Sequence, residues 1–310
     1  MLIGRSTSFA EVLRSVYNPL RSNIKCLTIM RFKTYIFVLF CGLISTNLNA
    51  KENEDLFLRE STLFTNKGKF SSEYGIFYKK TVFSTLDSVV NNESLTNNFI
   101  LRYGITQNLE STLSAPFIFS VNEHRKLNQS IANEHNTGFG DLKFNLKYHA
   151  FQENQYQPDI LFSIGIKWNN GEYLNNEKPS LGSGSREYKI STILVKIFDP
   201  AVIFTRFSYI YPERNSFKSN TIDTGHTFNY SFGSGYSLSD QITFGMAIEG
   251  NYLFNPKINN DSVGRQHAIT LQLSNTIMIT KSWFIEPSVA FGLTPEAPDV
   301  VIGVVIPIYY

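Results

Sequence analysis

The stretch Asp141-Leu142-Lys143-Phe144-Asn145-Leu146-Lys147-Tyr148 decides the fold class. Leu142, Phe144, Leu146 and Tyr148 fall on one side and Asp141, Lys143, Asn145 and Lys147 on the other. A period of two sends successive side chains to opposite faces of a β-strand, whereas an amphipathic helix would repeat its apolar residues at three and four. One face of this strand is oily and the other wet.

The same alternation recurs through residues 69–310 and predicts strands near 69–81, 97–105, 109–118, 139–151, 159–168, 188–198, 201–211, 225–238, 242–253, 267–279, 283–292 and 300–310. Short joins at Thr106-Gln107-Asn108, Gln152 to Pro158, Asp199-Pro200, Ser239-Asp240-Gln241 and Thr280-Lys281-Ser282 alternate with long polar joins at 82–96, 119–138, 169–187, 212–224, 254–266 and 293–299. Short turns on one side and long loops on the other are the arrangement of an outer-membrane barrel. The expected fold is therefore all-β, a transmembrane antiparallel barrel of about twelve strands, with both termini on the short-turn, periplasmic side.

Aromatic residues fix where the oily face points. Tyr103, Tyr148, Tyr236, Trp283 and Tyr310 sit at short-turn ends of that face, and Tyr78, Trp168, Tyr211 and Tyr252 at long-loop ends. Amphipathic rings favour the two edges of an apolar membrane band, so these residues predict a pair of girdles. A soluble β-sandwich would show the same alternation, but it accounts for neither the girdles nor the asymmetry of the joins. The last strand keeps Ile302, Val304, Ile306, Ile308 and Tyr310 in phase on the oily face and ends on an aromatic, as bacterial outer-membrane proteins do.

Composition agrees. The 310 residues are 42% apolar and only 17% charged, with 26 Phe, 16 Tyr and 19 Gly, which suits one large β-architecture. Four Met, two Cys and no long uncharged apolar run exclude a disulfide scaffold, a coiled coil and a helical membrane protein. A net charge of +2 gives no reason to expect a nucleic-acid partner.

Charge is concentrated at the N-terminus, where residues 1–50 hold six Lys or Arg against one acid, Glu11. Arg31 and Lys33 precede the apolar run Tyr35 to Ile44 and the polar stretch Ser45 to Ala50, the order of a secretory signal peptide. Residues 30–50 read as that peptide, cleaved after Ala50, and residues 1–29 as an upstream extension. Cys41 follows the bulky Phe40 and makes a poor lipoprotein site. Residues 51–68 then form a periplasmic segment or partial plug ahead of the barrel, 69–310.

Five ordered stretches carry a family resemblance: Phe57 to Gly68, Leu101 to Glu110, Gly138-Phe139-Gly140-Asp141-Leu142-Lys143, Leu181-Gly182-Ser183-Gly184, and Phe291 to Asp299. Together they resemble the outer-membrane transporter family named for the meta-pathway of phenol degradation. The resemblance implies a twelve-stranded barrel that passes small molecules, hydrophobic or aromatic ones among them. It assigns no catalytic residue and no substrate to this chain. Trp168-Asn169-Asn170-Gly171 departs from the expected Thr- and Pro-containing turn.

The wet face includes Glu73, Lys79, Arg102, Glu110, Asp141, Lys143, Lys147, Lys167, Arg206, Glu249 and Glu286, which are the candidate pore-lining residues. So many ionisable groups inside a barrel require either water or a network of ion pairs. Arg102 and Glu110, flanking one short turn, are expected to pair and form a charged constriction. His226 and His267 are candidate bases for a hydrolase, but Ser208 and Ser288 lie on the other face and give them no nucleophile. Glu123, His124, Glu134 and His135 lie in a polar loop whose register nothing fixes, and no metal is expected there.

The sequence thus predicts a non-enzymatic, cofactor-free channel or transporter in the bacterial outer membrane, with membrane lipid, the barrel-assembly machinery and an unidentified small solute as partners. A barrel hydrolase and a plugged structural barrel are the competing readings. We predict that N-terminal sequencing of membrane-extracted protein will find a chain beginning near Lys51. Recovery of residues 1–29 in the assembled protein would refute that processing.

Overall fold

A computed structural model describes residues 64–84, 88–126, 129–173, 178–217, 220–258, 261–262, 264–280 and 283–309. Its strands are β1 (Phe70–Ser84), β2 (Ser88–Gly104), β3 (Leu109–Lys126), β4 (Gln129–Phe139), β5 (Lys143–Phe151), β6 (Asp159–Lys167), β7 (Glu187–Phe198), β8 (Ala201–Pro212), β9 (Asn215–Phe217), β10 (Asn220–Asp223), β11 (His226–Ser239), β12 (Ile242–Phe254), β13 (Lys257–Ile258), β14 (Asp261–Ser262), β15 (Gln266–Thr280), β16 (Trp283–Gly292) and β17 (Val300–Tyr309).

Antiparallel neighbours run from β1 through β17, β16, β15, β12, β11, β8, β7, β6 and β5 to β3, and β2 joins β3 back to β1. The sheet is therefore closed. With β4 and β5 sharing one place in the wall beside β3, it has twelve strand positions. The first and last strands close it in a continuous register from Ser71 opposite Tyr309 to Lys80 opposite Val300. Closure removes the sheet edge, the only way a sheet can cross lipid with every backbone group paired.

Alternation assigns the two faces. Ile164, Ile190, Ile203, Phe232, Met246, Ile248 and Ile302 all point outward and are exposed, Ile190 by 60% and Ile164 by 59%. On water such a belt would be an aggregation hazard; on lipid it is the required surface. Tyr103, Tyr148, Tyr211, Tyr236 and Trp283 are exposed, and Tyr78, Trp168 and Tyr252 are half-buried. Tyr310 lies outside the described residues. The outward run from Phe244 to Tyr252 spans eight residues, about 26 Å along the strand. At a tilt of about 40° this covers about 20 Å of membrane normal, close to the apolar band of such barrels.

All twelve expected strands occur, but several reach further than the alternation extends. The join expected at 82–96 is strand up to Ser84 and again from Ser88, and much of 119–138 is strand in the β3–β4 hairpin. In Val89 to Thr96 polar residues occupy both faces, because water lies on both sides beyond the membrane. Backbone pairing there leaves no hydrophobic period to read. The joins at 212–224 and 254–266 contribute β9, β10, β13 and β14 to a separate four-stranded sheet.

The strand expected over 139–151 is interrupted: β4 ends at Phe139 and β5 begins at Lys143, leaving Gly140, Asp141 and Leu142 between them. We predict that Ile190→Arg and Phe244→Arg, on the outward face, will obstruct assembly at a cost of about 2–4 kcal/mol near the midplane. Gln272→Arg, which faces inward between Ala247 and Ala290, should assemble normally in heat-modifiable gel migration.

Candidate functional site: the lumen

Every expected pore-lining residue except Asp141, which lies in the break between β4 and β5, falls on the inward side of the register, and the structure uses them in three different ways. Near the short-turn end, charges are buried in pairs. Arg102 Nη2 lies 2.7 Å from Glu73 Oε2, and Lys147 Nζ lies 3.3 Å from Glu110 Oε1. Glu73 is 2% exposed and Glu110 fully buried. Arg102 therefore pairs with Glu73 on β1 rather than with Glu110 as expected. Arg102 stands one inward position from Glu110 on β3 and equally one inward position from Glu73 on β1, and Lys147, directly opposite Glu110 on β5, already pairs with that carboxylate.

The segment before β1 completes this end. The Thr65 backbone N–H donates to Glu110 Oε2 at 2.8 Å, and Lys67 bridges to Gly104. Phe64 stacks on His149 at 5.5 Å and receives Lys147 Nζ over its ring. His149 Nε2 lies 2.8 Å from Asp159 Oδ1. Beside them Leu161, Ile193, Val195 and Val202, all inward-facing, form a buried apolar patch against which Phe64 and Phe204 pack. Of the expected periplasmic segment 51–68, residues 51–63 lie outside the described residues.

At the long-loop end, Asp141 organises the mouth. Its Oδ1 accepts the Gly171 N–H at 2.9 Å, and its Oδ2 accepts the Ser183 N–H at 2.7 Å and the Ser183 hydroxyl at 3.0 Å. Lys167 Nζ lies 3.7 Å away and also pairs with Glu187. Asp141 is only 5% exposed, so it anchors a loop rather than lining an open path. Leu142 N donates to Asn170 Oδ1 and Trp168 N to Leu142 O, which is how the Trp168–Gly171 turn replaces the pairing lost where the strand breaks.

The described parts of that loop, 169–173 and 178–186, lie against the inward positions of β4. Asn136 Nδ2 donates to Glu172 Oε2 and to Pro179 O, both at 2.9 Å. A Cβ on Gly182 would stand 2.6 Å from Asp141 Oδ1, and Gly184, at φ +73°, would drive one into the Tyr173 ring. Three separate sequence stretches, 138–143, 168–171 and 181–184, thus converge on one carboxylate. Spacing alone gave no sign of it.

Of the other inward side chains some are accessible, whereas Ser114, Ser208, Ser231 and Val305 are buried. Lys79, Lys143 and Glu249 are exposed although they point into the barrel, and Arg206, beside Glu249, and Glu286 are half-buried. Outside the lumen, His226 stacks on Tyr209 at 5.8 Å and His267 Nε2 lies 3.0 Å from the Tyr230 hydroxyl. Ser208 faces inward opposite Asn229, and Ser288 inward opposite Ser274. Bases and hydroxyls are therefore on opposite sides of the wall. In the β3–β4 hairpin, Glu123 and His135 share one face and Glu134 lies on the other. Among the described residues no group of three potential metal ligands forms.

The model of the family described as "Putative MetA-pathway of phenol degradation" matches residues 56–305. The chain belongs to this family. Among solved structures, an outer-membrane channel from Pseudomonas putida F1 is similar over 84% of this chain and 100% of its own, with 12% identity and a TM-score of 0.64. The translocator domain of the autotransporter NalP from Neisseria meningitidis aligns with 79% of this chain and 90% of its own, with 10% identity and a TM-score of 0.46. The CymD monoaromatic hydrocarbon channel aligns with 79% of this chain and 89% of its own, with 9% identity and a TM-score of 0.44. The first of these establishes the fold of this family member as an outer-membrane β-barrel.

Removing one partner of a buried ion pair leaves an uncompensated charge and costs about 3–5 kcal/mol. We predict that Glu110→Ala will lower the unfolding temperature of the barrel markedly. Pairing it with Lys147→Met should recover much of the loss, as read by temperature-dependent gel migration.

Proposed function

We propose that this protein is an outer-membrane channel for passive or facilitated diffusion of small molecules, working without catalysis or cofactor. The observation that carries the reading is the accessibility of Lys79, Lys143 and Glu249 inside a closed wall, since ionisable groups persist there either buried in pairs or where water reaches them, and these three are accessible. Twelve strands give a passage wider than a filled eight-stranded barrel and narrower than a porin. The placement of His226 and His267 away from inward Ser208 and Ser288 favours this over a hydrolase.

The family description, with its reference to phenol degradation, favours hydrophobic or aromatic cargo. The aromatic side chains at both ends of the outward face would act as membrane girdles, and the leader at 30–50 would direct export to the assembly machinery. A second reading, a plugged barrel, rests on Phe64 and Thr65, which reach into the short-turn end beside the buried apolar patch.

Liposome swelling with sugars, nucleosides and aromatic acids tests both. We expect small solutes to enter, and Asp141→Ala, which releases Gly171 and Ser183, to raise the rates. A folded barrel that admits none of them, with or without residues 51–65, would refute the channel.

A further inference from the structure

We propose that the outer half of the lumen holds a subsite for small organic carboxylates, built from Lys143 and Lys189; this rests on the channel reading and deepens it. Register places Lys143 opposite Lys167 on β6, and Lys167 opposite Glu187 on β7, so Lys189 stands one inward position further along β7. Three ammonium groups thus occupy three adjacent strands on one stretch of wall. Lys167 is neutralised by Asp141 and Glu187. Among the described residues, Lys143 and Lys189 have no acid within ion-pairing distance and no hydrogen-bond partner. The charges of Lys167 and Lys189 bear on Lys143 and are opposed by those of Glu187 and Asp141; three ammonium groups against two carboxylates leave this stretch of wall net positive, and Lys143 is open to solvent.

The surroundings favour one class of anion. Asp141 and Glu187 flank the pair and would repel a dianion at close range, whereas one negative charge between two ammonium groups is compensated. The ammonium groups are flexible point charges without the planar fork that grips a phosphate. Below Lys189 on the same wall come the hydrogen-bonded hydroxyls of Ser163 and Ser191 and then Ile193, about 13 Å along the strand, at the edge of the apolar patch. A carboxylate entering from outside would set its charge on the lysines with its apolar body directed inward. Asn145 lies beside them, its Oδ1 resting over Gly165, where no side chain intervenes.

The test compares the wild type with Lys143→Gln, Lys189→Gln and the double variant in the full-length folded barrel. Titration calorimetry with benzoate, benzamide and inorganic phosphate is expected to show benzoate binding, no benzamide binding and weaker phosphate binding. Loss of a charge-assisted contact should weaken benzoate about tenfold or more in the double variant. In planar bilayers under a salt gradient, the wild-type reversal potential should indicate anion preference and the double variant should move toward cations. Benzoate binding without conductance would retain the subsite and overturn the channel. Conductance with no benzoate binding, or with an unchanged reversal potential in the double variant, would overturn the subsite, and phosphate binding as tightly as benzoate would overturn its carboxylate class.

Discussion

The structure depends on the pairing of its first strand with its last. A sheet that crosses lipid cannot leave an edge, because each unpaired backbone group in hydrocarbon costs several kcal/mol (about the price of a lost hydrogen bond with no water to replace it). The register from Ser71–Tyr309 to Lys80–Val300 removes that edge. It also fixes the phase of every strand between, since a slip of one residue would turn the whole oily face of a strand inward. The in-phase run Ile302, Val304, Ile306 and Ile308 is therefore a structural requirement of closure before it is anything else.

Within that wall the chain treats charge in two opposite ways. At the short-turn end Glu73, Arg102, Glu110 and Lys147 are taken out of water and paired, with Thr65 and Phe64 sealing against them. Such a network braces neighbouring strands and tolerates no missing partner. At the other end one carboxylate, Asp141, is buried by neutral donors from a loop, so its charge is satisfied mainly by hydrogen bonds and only distantly by Lys167. The loop is held there because removing it would strand that carboxylate.

The membrane-facing half of this arrangement is legible in the sequence, and the loop-facing half is not. Alternation reports only where one side of a strand is dry, so Leu142 to Tyr148 announces β5, while Val89 to Thr96, wet on both sides, looks like a loop although it is strand. Asp141 continues the alternation of Lys143, Asn145 and Lys147 and so reads as one more wet-face residue. Its partners, Gly171 and Ser183, are 30 and 42 residues away, a separation no periodicity encodes. The Arg102–Glu110 expectation failed for a related reason. Spacing about a turn identifies the nearest strand on one side only, and in a closed barrel β1 competes from the other.

Beyond Asp141, the accessible charges of Lys79, Lys143 and Glu249 lie in series with the paired end along the lumen. A dry, paired and partly apolar end resists ions, because a permeating charge there meets groups already neutralised and little water. The wet end offers uncompensated charge and hydration together. In a channel of this construction, selection by charge would precede the point of greatest resistance, and the solute would leave its ionic contact before passing Phe64 and the patch of Leu161, Ile193, Val195 and Val202. Low net charge beside that apolar patch then serves conduction, since a strong site there would hold what it is meant to release.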